Sequence, residues 1–221
     1  MAAISSRVTT VALAALLVHG GAHAALISSP SAIPEPSHVI TFNAYNGVST
    51  TGPVNVGAEV GDNVIFTSSP FAELGAASRA LGTNGQWGAG ARFVASDFVT
   101  ASGELGFSFG SGVSSVGALF NQFQTAAGGN HITLLAYDAE GNTLESHVFS
   151  IDTSATGLNE GQFLGIQRAS ADIYGFGIAD GTFVLDNLSY SAAPAVPEPG
   201  TLLLMVGGLG LVGVALRKRA S

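Results

Sequence analysis

In the middle of this chain, apolar residues come in short alternating runs that Gly, Asn, Asp and Ser interrupt. The clearest is Leu105-Gly106-Phe107-Ser108-Phe109. In an extended backbone successive side chains leave opposite faces, so the leucine and both phenylalanines share one side, with Gly106 and Ser108 on the other. The same pattern predicts strands at Val39–Asn43, Asn63–Thr67, Arg92–Ala95, Leu105–Phe109 and Val113–Phe120. It continues at His131–Tyr137, Thr143–Ser150, Gln162–Ile166, Ile173–Ile178 and Thr182–Tyr190. Long helices find no place; the best helical candidate is a short turn within Phe71–Leu81. The expectation is an all-β domain over residues 38–192, a jelly-roll-like two-sheet sandwich.

One hairpin is defined closely by its residues. Asp138-Ala139-Glu140-Gly141-Asn142 reads as a three-residue loop with Gly141 left-handed and Asp138 facing Asn142. Continued without interruption, that register sets Ile132, Leu134 and Ala136 beside Leu144, Ser146 and Val148 on the core face. His131, Thr133, Leu135 and Tyr137 then share the other face with Thr143, Glu145, His147 and Phe149.

The ends are of a different kind. Arg7, the apolar run Val8–Val18 and Ala22-His23-Ala24 follow the order of a cleaved signal peptide over residues 1–24, with Ala22 and Ala24 marking the signal-peptidase site. Residues 25–37 read as a linker. Residues 193–200 form a Pro/Ala linker, 201–216 an apolar span and 217–221 a basic tail. A sixteen-residue helix rises about 24 Å against a hydrocarbon core of about 30 Å, so the span is short for one transmembrane helix. Arg217, Lys218 and Arg219 belong on the cytoplasmic side, which puts the preceding domain outside.

The sequence Val196-Pro197-Glu198-Pro199-Gly200, followed by that span and Arg217-Lys218-Arg219, resembles a PEP-CTERM sorting signal. The resemblance implies recognition by an exosortase, a membrane-embedded cysteine protease. Pro197, Glu198 and Pro199 would be read by the processing enzyme. It further implies an inner-membrane-anchored precursor with a periplasmic domain, delivered to the cell surface or the extracellular polysaccharide matrix of a Gram-negative bacterium. Two prolines fix φ and remove backbone donors, keeping the segment extended for a protease cleft. Pro34-Glu35-Pro36 has no apolar span after it and reads as linker. From about Val113 onward the chain also resembles the jelly-roll domains found upstream of such tails. The residues concerned are Val113-Ser114-Ser115-Val116-Gly117, the Asp138 hairpin and Phe183–Leu188.

Charge and composition exclude several functions. Residues 25–199 hold all 15 acids but only Arg79, Arg92 and Arg168, a net of 3 − 15 = −12. That balance argues against nucleic acid, whose binding needs phosphate neutralisation. Either a calcium-binding, strongly hydrated surface or ordinary solubility accounts for the acids. With no cysteine there is neither a disulfide nor a zinc–cysteine site. No Gly-x-Ser-x-Gly elbow, P-loop or His-Glu-x-x-His occurs.

Three local candidates remain. His131 and His147, diagonal in the uninterrupted register and flanked by Glu145, are within geometric reach of a shared metal ion. Asp186, among apolar neighbours in Val184–Leu188, must be paired, hydrogen-bonded or metal-bound if buried; calcium, with oxygens from the Tyr45–Gly61 loops, is one way. Trp87 and Tyr45 could stack on sugar rings, although a lone tryptophan is more often a core plug. The expected protein is non-enzymatic. The alternatives are a carbohydrate-binding module or adhesin, calcium-stabilised or not, and a glycan hydrolase with two carboxylates in a cleft.

Overall fold

The computed structural model describes residues 25–35, 37–88, 90–96, 103–124, 131–154, 156, 158 and 161–192. The signal-peptide sites Ala22 and Ala24, the Pro197-Glu198-Pro199 segment, the 201–216 span and Arg217, Lys218 and Arg219 lie outside them. Among the described residues there is no α-helix, only sixteen strands and three short 3-10 turns. In chain order the strands are β1 Ala25–Ile27, β2 Ser37–Ile40, β3 Val48–Thr50, β4 Val54–Asn55, β5 Val64–Ser69 and β6 Ala72–Ala76. Next come β7 Arg79–Ala80, β8 Gln86–Trp87, β9 Phe93–Ser96, β10 Glu104–Val113 and β11 Ser115–Gln122. The last five are β12 Ile132–Tyr137, β13 Thr143–Phe149, β14 Gln162–Gln167, β15 Ile173–Ala179 and β16 Phe183–Ser191.

They form antiparallel sheets. The front sheet runs β1-β14-β11-β16-β9-β6-β3, with β2 also paired to β16, and the back sheet runs β13-β12-β15-β10-β5-β4. The alternation in β10 does what its sequence requires: Leu105, Phe107 and Phe109 are buried between the sheets. Phe66 and Phe176 join them from the back, and Phe42, Phe120, Phe183 and Tyr190 from the front. Their rings interlock, with Phe107 centred 5.8 Å from Phe66 and 6.1 Å from Phe42.

β11 and β16 are buried on both faces, which is why they read as near-continuous apolar runs. Their outer side is covered by two folded segments. One carries Leu81 and Trp87 against Phe93 and Val184; the other carries Ile27 and Ile33 against Phe163. The fully buried Asn84 ties the first cover down, donating to the carbonyls of Gln122 (2.9 Å) and Ile151 (2.8 Å) and accepting from the Thr153 N–H (2.9 Å).

Three expectations are corrected. The 25–37 segment is part of the domain, because β1 pairs with β14 and Ile27 and Ile33 are buried. Phe71–Leu81 is not helical: β6 lies between β3 and β9, and Gly75 has φ +73 where the backbone of Tyr45 leaves no room for a Cβ. Val113 and Phe120 do not share a strand. The chain leaves the back sheet at Val113, paired with Ile173, and enters the front sheet at Ser115, paired with Gln167. Ser114 makes the corner, its N–H donating to Ser191 Oγ at 2.9 Å.

Candidate functional site

The 138–142 loop has the expected form. The Asp138 N–H donates to the Asn142 carbonyl at 3.0 Å, and Gly141 sits at φ +84. Asp138 Oδ1 accepts the Glu140 and Asn142 N–H groups, and Oδ2 accepts the Asn142 side-chain amide. Those bonds, the Asn142 side chain foremost, hold its carboxyl below the ordinary value.

Beyond the loop the register is not the uninterrupted one. Tyr137 pairs with Thr143, but Ala136 pairs with Glu145, so a bulge intervenes at Leu144. One extra residue reverses every later side chain. Glu145, His147 and Phe149 therefore share the inner face with Ala136, Leu134 and Ile132, while Ser146 and Val148 are exposed. His131, exposed just before β12, follows Thr133 on the opposite face. The expected His131–His147 metal pair is thus split across the sheet. Among the described residues no three His, Asp or Glu side chains come together to hold an ion.

Glu145 has a structural partner instead. Arg168 Nη1 donates to Glu145 Oε1 at 2.6 Å, while its Nε and Nη2 donate to the two oxygens of Asp172 at 2.7 and 3.0 Å. His147 Nε2 lies 3.7 Å from the other Glu145 oxygen. β13 is the edge of the back sheet, and inward-pointing charge on an edge strand opposes pairing with another chain.

Asp186 is buried, as its apolar neighbours suggested, and its Oδ1 accepts the Asn187 N–H at 2.7 Å. It sits opposite Leu119, which packs against both covering clusters, so it faces away from the main core. Asn187 takes φ +52, and the β11–β16 register shifts beside it. The carboxylate thus accepts the N–H of a backbone irregularity, and no acidic or histidine side chains join it in a calcium site among the described residues.

The two aromatic candidates turn inward. Trp87 is 3% exposed, its ring 6.0 Å from that of Phe93 in an edge-on contact, and it cannot meet a sugar there. Gly88, at φ +114 against the Ala77 carbonyl, folds the loop back so that the indole plugs the cover. Tyr45 is half-buried against the main core and donates to the Asn55 carbonyl at 3.3 Å; burial, aided by Glu59, raises its phenol pKa.

Among the described residues a concave feature lies elsewhere, on the outer face of the back sheet. A cleft of about 520 Å³ is lined by Glu104, Ser108, Tyr137, Asp138, Tyr174 and Gly175, among others. Tyr137 reaches from β12 across β15 to β10, where its hydroxyl donates to Glu104 Oε1 at 2.9 Å. Burial and this carboxylate raise its pKa well above that of a free phenol. The ring can lie along β15 because the outward positions there are Gly175 and Gly177. A Cβ on Gly177 would stand 2.9 Å from Tyr137 Cε2 and 2.5 Å from Glu104 Oε1. On β15 itself Tyr174 lies over Gly112 of β10 and stays 37% exposed. Sequence reading passed over both tyrosines; Tyr174-Gly175-Phe176-Gly177, with a glycine at each outward position, was the available signal.

Comparison with known proteins bears on the tail. A family model described as the PEP-CTERM protein-sorting motif matches residues 195–219. The chain carries a PEP-CTERM sorting motif. Such a motif implies an exported protein of the cell envelope or surface, sorted by an exosortase. No curated protein matches the sequence. Among solved structures, the K2 cleaved adhesin domain of Lys-gingipain is similar at 11% identity and a TM-score of 0.38, covering 71% of this chain and 99% of that one. At that TM-score the likeness carries no property of the adhesin to this chain.

Proposed function

We propose that the chain is a non-enzymatic surface or matrix protein: a jelly-roll-like domain exported by its N-terminal signal, held briefly by its C-terminal span and processed by an exosortase. The sorting motif at residues 195–219, close behind a domain whose last strand ends at Ser191, is the observation that carries this reading. β16 is an interior strand of the front sheet, between β11 and β9, so that sheet is incomplete until residue 191 has crossed the membrane. Residues 192–200, fully extended, reach at most about 30 Å. The completed domain therefore stands beside the bilayer, with the Pro-Glu-Pro segment between body and span, where a membrane-embedded protease works. Little in the cleft favours hydrolysis. Both Asp138 oxygens already accept N–H groups, which leaves Glu104 without a second available carboxylate.

The test is mass spectrometry of the mature C-terminus from cells with and without the exosortase. Trimming within or just after Pro197–Pro199 only in the competent host supports the reading. A chain still ending at Ser221 in that host overturns it.

A further inference from the structure

We propose that the Tyr137–Tyr174 cleft on the back sheet is a binding site for a neutral glycan, an inference that rests on the reading of the chain as an exported surface protein and names what that surface holds. Four observations lead there. The cleft, at about 520 Å³, falls within the usual range of small-ligand sites, about 300–1,000 Å³. It contains two tyrosines on adjoining strands, Tyr137 half-buried over Gly175 and Gly177 and Tyr174 37% exposed over Gly112. Among the other described residues of the domain the large aromatics are buried or half-buried, Phe71 being an exposed exception at 58%. An aromatic ring held on glycine presents a rigid apolar surface at low entropic cost, and it suits the C–H face of a pyranose.

The polar groups select hydroxyls. Glu104 Oε1 is fixed by the Tyr137 hydroxyl, which sets the orientation of the carboxylate; Oε2 has no partner among the described residues and is left to accept from a ligand. Ser108, further along β10, also lines the cleft as donor or acceptor. The charge excludes acidic glycans, because the lining holds two carboxylates and no Lys, Arg or His, and residues 25–199 sum to −12. It does not favour amines strongly, since Asp138 spends both its oxygens on its own turn. What remains is an uncharged, hydroxyl-rich ring lying on tyrosine.

The experiment titrates the exported protein, with whichever C-terminus it carries, against defined pentasaccharides by NMR or calorimetry. Cellopentaose, laminaripentaose and mannopentaose are the neutral probes, with oligogalacturonate as the anionic arm and fully deacetylated chitopentaose as the cationic one. At least one neutral probe should bind at millimolar concentration or below, and oligogalacturonate should not. Tyr174→Ala, at a partly exposed position, should weaken binding about three- to tenfold, the worth of one stacked aromatic. Glu104→Gln, which keeps volume, should also weaken it. Retained melting temperature in these variants separates lost contact from lost fold. Absence of binding by all neutral probes overturns the proposal, as does binding that both variants leave unchanged or binding confined to chitopentaose. An untrimmed chain that binds a neutral probe would sink the sorting reading alone; a trimmed chain that binds none would sink the site alone.

Discussion

Arg168→Met tests the argument for inward-pointing charge at the sandwich edge. The guanidinium meets Glu145 through one hydrogen bond and Asp172 through two, all between 2.6 and 3.0 Å. The side chains of Arg168, Glu145 and Asp172 keep 10%, 23% and 36% of their surface exposed. Removing one partner of a fully buried pair costs about 3–5 kcal/mol, because the charge left behind is uncompensated. An exposed pair is worth at most about 1 kcal/mol. Glu145 stands nearer the first limit and Asp172 the second, so the expected loss is about 2–3 kcal/mol. Methionine retains much of the apolar stem, which leaves charge as the main thing removed. Urea unfolding at neutral pH measures the loss, with Glu145→Gln and the double variant completing the cycle. In the Glu145→Gln background the cost of losing Arg168 should fall by more than half, since only the more exposed Asp172 is then stranded. A loss below about 0.5 kcal/mol, the size of an ordinary surface change, would refute the reasoning.

Three further outcomes follow from the geometry. Val148→Asp, at a 65% exposed outward position, should change stability by less than about 0.5 kcal/mol, whereas Phe149→Ala should cost about 2 kcal/mol; the reverse order would restore the unbulged register. The Asp138 carboxyl is held below its ordinary value by the Asn142 side chain and the turn N–H groups, so the stabilisation it gives is complete above the unfolded value and fades as pH falls through the folded one. The protection of the Glu140 and Asn142 amides, measured against exchange in the unfolded chain at the same pH, should fall over that acid range, and Asp138→Asn should abolish the dependence. Trp87→Ala should cost about 3–5 kcal/mol and expose the outer face of the front sheet; efficient acrylamide quenching of native Trp87 would contradict its burial.

Much of the strand pattern was legible because a half-buried strand writes its geometry into the chain. β10 is an example: Leu105, Phe107 and Phe109 alternate with small residues, and all three are buried. The Asp138 hairpin was readable for a related reason, its conformation being determined by a handful of neighbouring residues. The bulge at Leu144 was not. Nothing in Thr143–Phe149 announces an extra residue, yet it moves Glu145 and His147 inward and separates His147 from His131. Where β6 stands, Gly75 and the alanines favoured no one state locally, and pairing with β3 and β9 made the choice.

The primary structure alone contains the PEP-CTERM sorting motif at residues 195–219, a local pattern of residue types that needs no partner across the fold. It also contains the all-β character, since period-two burial is a local property of the backbone. Which aromatics face water was decided only when the sheets closed. Trp87 became a plug because a loop turned back over the front sheet, and Tyr137 became a cleft wall because distant glycines on β15 let its ring lie down. Both depend on contacts between residues far apart in the chain, and no window of sequence encodes those distances.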